Sequence, residues 1–136
     1  MKWFMCWVTM SLAVGAAQAA EWVAFGDEIH LDLHSVQTIE RSAPVVSAWF
    51  KFTGEMGKYK DNPRTTESRT KVEVNCRTKL MRTHGHYRYD KKRDLTYQEH
   101  AASVWVDPPP ESAGELMMGA ACGAWVKLKA GGLLPD

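Results

Sequence analysis

The stretch KVEVNC, residues 71–76, alternates strictly: Val72, Val74 and Cys76 fall on one side, and Lys71, Glu73 and Asn75 on the other. Such a period of two predicts a strand with one packed and one wet face. The strand ends on a cysteine, so the role of that cysteine decides how the sheet is closed. It could ligate a metal, act as a nucleophile, or form half of a disulfide.

The first residues narrow the choice. Residues 1–19 carry one early charge, Lys2, then an apolar run from Trp3 to about Ala17. Ala17 and Ala19 sit at the −3 and −1 positions of a signal-peptidase site. The pattern predicts a secretory signal peptide cleaved between Ala19 and Ala20. Its apolar run is shorter than the roughly 20 residues of a spanning helix. Cys6 lies at the start of that run, behind Trp3-Phe4-Met5, so no lipid anchor is expected and Cys6 leaves with the signal. The expected product is an exported chain of residues 20–136, periplasmic or on the outer surface. That is one domain's length.

Charge excludes some partners. The sequence has 17 Lys and Arg against 16 Asp and Glu, and removing Lys2 leaves 16 against 16. A near-neutral chain is not built around nucleic acid or an anionic bilayer, both of which select a basic excess.

Two cysteines remain after processing, Cys76 and Cys122. In an oxidising compartment an even count is most simply a disulfide. It would close a loop of about 46 residues and contribute on the order of 4 kcal/mol. Neither cysteine has the close-spaced Cys or His partner of a zinc site, and nothing nearby would activate a thiol. Free thiols are the remaining alternative.

Along the chain, EWVAF (21–25) and EIHLDL (28–33) read as short strands divided by Gly26-Asp27, and SVQTIERSAP as a connection. VVSAWFKF (45–52) is the strongest strand, apolar on both faces for most of its length. Residues 54–67 read as a long polar loop. A strand over 78–90 is expected to break or bulge at Gly85. KKRD (91–94) fits a turn, with LTYQEH and AASVWV forming the last strand or strands. Asp107-Pro-Pro-Pro stops the sheet. A helix then opens at Glu111 or Ser112 and runs to Cys122, with Gly123 as its stop and 124–136 as a loose tail. The fold class is α+β: a small antiparallel sheet with one C-terminal helix packed on a face and tied to it by Cys76–Cys122.

This order of elements resembles the surface-adhesin protein E family. The resemblance rests on Trp22 just inside the mature start and LDLHSV with its Asp-x-x-Ser-Val element. It continues through the Trp49 strand, the charged strand ending at Cys76, VWVDPPPES, and the late helix ending at Cys122. It spans about residues 22 to 123. It implies a sheet-to-helix disulfide between Cys76 and Cys122. It also implies binding of host matrix and serum proteins such as vitronectin and laminin. The chain departs from surface members in lacking their lipid-attachment cysteine, and His30-Leu31 stands where an aromatic pair often precedes the Asp.

Other motifs are weighed on their own chemistry. His84 and His86, and His30 and His34, could each share a strand face, but no further ligand is fixed near them, and solvated histidines are expected; no metal or cofactor is assigned. Asp32, His34 and Ser35 are too close in sequence for a triad and read as local backbone ligands at a strand exit. No nucleophile elbow, metalloprotease helix or phosphate loop is present, so the chain is not read as an enzyme. Two basic clusters with interleaved tyrosines are the candidate partner-binding residues: Lys58, Tyr59, Lys60 and Arg64, then Arg88, Lys91, Lys92 and Arg93. Arg and Tyr are favoured interface anchors. The expected role is non-catalytic protein binding, to a host matrix or serum protein. The alternatives are an accessory module that touches only envelope proteins and a carrier of a small ligand between sheet and helix.

Overall fold

A computed structural model describes residues 19–134; the signal peptide expected over residues 1–19 lies, all but Ala19, outside the described residues. Six antiparallel strands follow each other in sequence order across one sheet: β1 (Trp22–Ala24), β2 (Ile29–Glu40), β3 (Val45–Phe52), β4 (Thr65–Asn75), β5 (Leu80–Asp90) and β6 (Leu95–Glu99). One helix, α1 (Ala113–Ala130), lies across one face.

KVEVNC lies at the end of β4, and its alternation determines which face is packed. Val72 pairs with Ala48 and Val74 with Val46. These residues, with Phe50, Leu31 and Ile29, form the core against Met117 and Ala121 of α1. Lys71 and Glu73 face the other way, opposite Trp49 and Ser47. Cys76 falls just past the strand, in the β4–β5 turn, and is bonded to Cys122 with Cα atoms 5.8 Å apart. Sheet and helix are therefore stapled at the edge of their common core.

The strand expected over 28–33 runs on to Glu40, through much of what reads as a connection. The cause is a bulge between Asp32 and Gln37, which lets the second half of β2 rejoin β3 and place Val36 in the core. Asp32, His34 and Ser35 build this bulge rather than a strand exit. Asp32 Oδ1 accepts from the backbone N–H groups of Glu21 and His34. Ser35 Oγ donates to Asp32 O at 2.7 Å and accepts from Trp49 N at 2.8 Å. The Asp-x-x-Ser-Val element is thus a set of ligands for backbone groups left over by the bulge.

A bulge also occurs at Gly85, as expected: Thr70 pairs with His86 but Val72 with Thr83. Gly85 has φ +138, a conformation that suits glycine. Past the bulge, residues 100–106 accompany β5 without forming the expected strand. Ser103 and Thr83 share one backbone bond, and Met81 and Val106 exchange two. The polar loop is shorter than expected, because β4 starts at Thr65 after a short 3-10 turn at Gly54–Gly57. Glu28 closes that turn by accepting from the N–H groups of Glu55 and Met56.

Gly123 does not stop the helix, and 124–130 is not a loose tail. Gly123 lies in the helix interior with open space around its Cα. The helix continues because Trp125 and Leu128 extend the packed stripe of Met117 and Ala121, and Trp125 Nε1 donates to Thr38 Oγ1 at 2.9 Å. The true stop is Gly131-Gly132, where Leu133 N bonds Leu128 O and Gly132 N bonds Lys129 O. Gly132 has φ +68, so this is a Schellman motif. At the other end Ser112 Oγ accepts from Glu115 N, and Glu115 reaches back to Glu111 N, a capping box shifted by one residue.

Candidate functional site

The helix covers one face of the sheet, and among the described residues no helix or second sheet packs on the other. β3 reads as apolar on both faces because Val45 and Trp49 sit on the face opposite the helix while Val46, Ala48 and Phe50 sit under it. Strand register lays this face out in rows. Trp22, Asp32, Trp49 and Lys71 are successive cross-strand neighbours. The next row runs from His30 through Lys51, Arg69 and Tyr87 to Gln98.

Between these rows is a depression of about 320 Å³, lined by Ala20, Trp22, Asp32, Trp49, Arg69, Tyr87 and Tyr89. The rings of Trp49 and Tyr87 are 5.6 Å apart and tilted by 48°. Cations are stacked on the aromatics. Lys51 Nζ lies 4.6 Å from the Trp22 ring, and the Arg69 guanidinium 4.9 Å from Tyr89 and 5.6 Å from Trp22. Glu67 accepts from Arg69 Nε at 2.7 Å. Farther along, Arg82 is paired with Glu73 and stacked on Trp105. Aromatic rings held flat by arginine offer large contact area at little entropic cost, which is the composition of interface anchors.

The residues chosen from sequence divide into two sets. Arg64 precedes β4, whose Thr65 pairs with Asp90 at the end of β5. The 58–64 loop and the 91–93 turn therefore meet at one end of the sheet, beside Tyr89. Lys60, Arg64, Lys91, Lys92 and Arg93 are exposed there, while Lys58 is paired with Glu55.

Tyr59 and Arg88 do not belong to that exposed set. Arg88 lies on the helix side of the sheet, between the rings of Tyr59 (3.6 Å) and Tyr97 (4.4 Å), and donates to Asp61 at 2.9 Å. Beneath it, Arg88 Nε donates to His86 Nε2 at 3.2 Å. Arginine can only donate, so Nδ1 carries the His86 proton, which goes to Thr70 Oγ1 at 2.7 Å. Burial first, and the Arg88 charge second, hold the His86 imidazole below its ordinary pKa. This network anchors the 58–64 loop to the sheet.

Sequence reasoning missed the open face itself. The signal was present in the alternation of Ser47, Trp49 and Lys51 against Lys71 and Arg69. It could not be used without knowing that one helix covers one face only. His84 and His86 do not share a face, since the Gly85 bulge breaks their repeat. Among the described residues, no group of three or more His, Cys, Asp or Glu could hold a metal ion, and no helix is long and apolar enough to cross a membrane. The crevice beside α1, lined by Val23, Phe25, Leu31, Leu33 and the Gly119–Lys127 face, is shallow and apolar; the interior behind it is filled by Phe50, Val46 and Ala121.

No curated protein matches the chain. Solved structures of Haemophilus influenzae protein E share its fold. One has a TM-score of 0.55 at 13% identity, covering 78% of this chain and 86% of that one. Crystal form II gives 0.53 at 12%, covering 73% and 83%, and a selenomethionine form gives 0.51 at 11%, covering 71% and 79%. The profile of surface-adhesin protein E matches residues 22–123, from Trp22 of β1 to Gly123 inside α1. Over that span both the order of elements and the sheet-to-helix disulfide agree with the resemblance read in the sequence, and the chain belongs to the surface-adhesin protein E family.

Proposed function

We propose that this protein is an exported, non-catalytic binding domain whose uncovered sheet face engages a host matrix or serum protein. The observation that carries the proposal is the cluster of Trp22, Trp49, Tyr87 and Tyr89 interleaved with Arg69 and Lys51 on the sheet face opposite the helix. Family membership supports an adhesin-like role. The exposed cations Lys60, Arg64, Lys91, Lys92 and Arg93 border that face at one end. They act as a rim that speeds encounter with an acidic partner more than it adds affinity. Tyr59 and Arg88 serve the same surface by holding the 58–64 loop in place. Cleavage between Ala19 and Ala20 leaves a chain that begins at the edge of the depression.

Capture of the oxidised mature protein by immobilised laminin, vitronectin and plasminogen at physiological salt tests this. Saturable capture that Trp49→Ala weakens at least about tenfold is the expected result, as for an interface anchor. Failure to bind any of them, or binding indifferent to Trp49, would overturn it. Protease shaving of intact cells tests surface display: a protein left intact would mean that its partners lie within the envelope.

A further inference from the structure

The depression on the open face has a chemistry more specific than general stickiness. It is shallow, so an apolar ligand seated there would keep one side in water. Its occupant must be apolar on one face and polar around its edge. A pyranose ring fits that description, with C–H groups on one face to lie on an indole and hydroxyls at its rim.

The cations supply a second constraint. Arg69 uses only Nε, toward Glu67; among the described residues its two terminal nitrogens have no hydrogen-bond partner. Lys51 and Lys71 flank the same rings and are in no ion pair among the described residues. Asp32 is pinned by two backbone amides through Oδ1, which leaves its second oxygen to accept from a hydroxyl. The lining itself is balanced, Asp32 against Arg69, and Lys51 over Trp22 and Lys71 beside Trp49 add positive charge at its border, where Glu67 is already paired with Arg69. A planar guanidinium with its fork free is the group that best receives a carboxylate.

We infer that the notch between Trp22, Trp49, Tyr87 and Arg69 binds a carboxylated pyranose, a sialic or uronic acid, borne by the partner. The inference rests on the proposal that the open face is the partner surface, and names the chemical group it takes. An acidic peptide would satisfy the cations but leave the rings of Trp22, Trp49 and Tyr87 without a matching flat surface.

Ligand-observed saturation-transfer NMR and tryptophan fluorescence test it on the oxidised mature protein. The probes are sialyllactose, a hyaluronan tetrasaccharide, lactose as neutral control, and a glutamate-rich peptide. Transfer to the acidic ring and saturable fluorescence change are expected with sialyllactose, the hyaluronan fragment or both, and not with lactose; the two arms separate sialic from uronic acid. Arg69→Met should weaken binding at least about tenfold, the loss of a charged hydrogen-bonded pair. Lys127→Ala, on the helix, should leave it unchanged. Because Arg69 is a partly exposed side chain, its variant carries the test even if Trp49→Ala fails to fold. Binding of neither acidic sugar, binding equal in Arg69→Met, or binding of the peptide alone would overturn the inference. Laminin capture separates the two levels: capture unchanged after enzymatic removal of its glycans overturns the sugar and leaves the protein-binding role. Absence of capture before that removal counts against the role itself.

Discussion

The guanidinium of Arg88 lies 3.6 Å from the ring centroid of Tyr59, so two residues that read in sequence as partner-binding anchors are bound to each other. Their neighbours in sequence remain exposed, and the same stretch therefore holds a structural pair and a solvent-facing rim. Arg88→Ala removes two ring contacts and the bond to Asp61. It should cost about 2 kcal/mol by urea unfolding, from cation–π stacking in a half-buried site. Lys92→Ala should change stability by less than about 0.5 kcal/mol. Equal effects of the two would remove Arg88 from any anchoring role.

His86 gives this network a pH dependence with a definite sign. Its folded pKa is below the ordinary 6.5, so the unfolded chain takes up the proton first. Stability is then lost as pH falls through about 6.5, and the loss levels off below the folded pKa. The proton would enter at Nε2, where Arg88 already donates, so two donors would oppose each other. His86→Gln should lose less stability than wild type between neutral and mildly acidic pH. Parallel losses in both would contradict the assignment.

Arg93 turns the β5–β6 hairpin with φ +69, a left-handed conformation, while Asp90 accepts from Lys92 N and Asp94 N. Arg93→Gly relieves the strain and adds unfolded-state entropy, for a net gain of about 0.5 kcal/mol. If Arg93 is part of the basic rim, the same variant should associate more slowly with an acidic partner, and less steeply with salt. Thermal unfolding and association rates, measured together, would separate the two effects.

The disulfide and the helix end act on the same contact from two sides. Reducing Cys76–Cys122 should remove about 4 kcal/mol in the chain-entropy account. Truncation after Gly123 deletes Trp125 and Leu128 from the core edge and should cost at least about 3 kcal/mol. A truncated protein as stable as the full chain would restore the loose tail that the sequence suggests.

Much of the fold was legible because KVEVNC, the β3 run and the two cysteines each carry a strong local signal, and all point to one sheet with one helix. The bulge at Gly85 was legible for the same reason. What escaped was decided by tertiary packing. Gly123 has a stop residue's identity, yet two apolar side chains beyond it find the core and pull the helix past it. SVQTIE reads as polar connection because its backbone partners in β3 cannot be seen from the sequence. The open face was hidden in plain alternation: Trp49 looks like core until the single helix is placed on the opposite side. Arg88 and Tyr59 read in sequence as partner-binding residues, and sequence alone cannot show the contact they make with each other in the fold.

Hydroxyl-radical footprinting of the oxidised protein, free and saturated with a captured matrix protein, tests the central claim most directly. The open face predicts strong loss of oxidation at Trp22, Trp49, Tyr87 and Tyr89 on binding, with Trp125 on the helix side unchanged. Protection confined to Trp125 and its neighbours, with the four open-face rings still oxidised at the free rate, would contradict it.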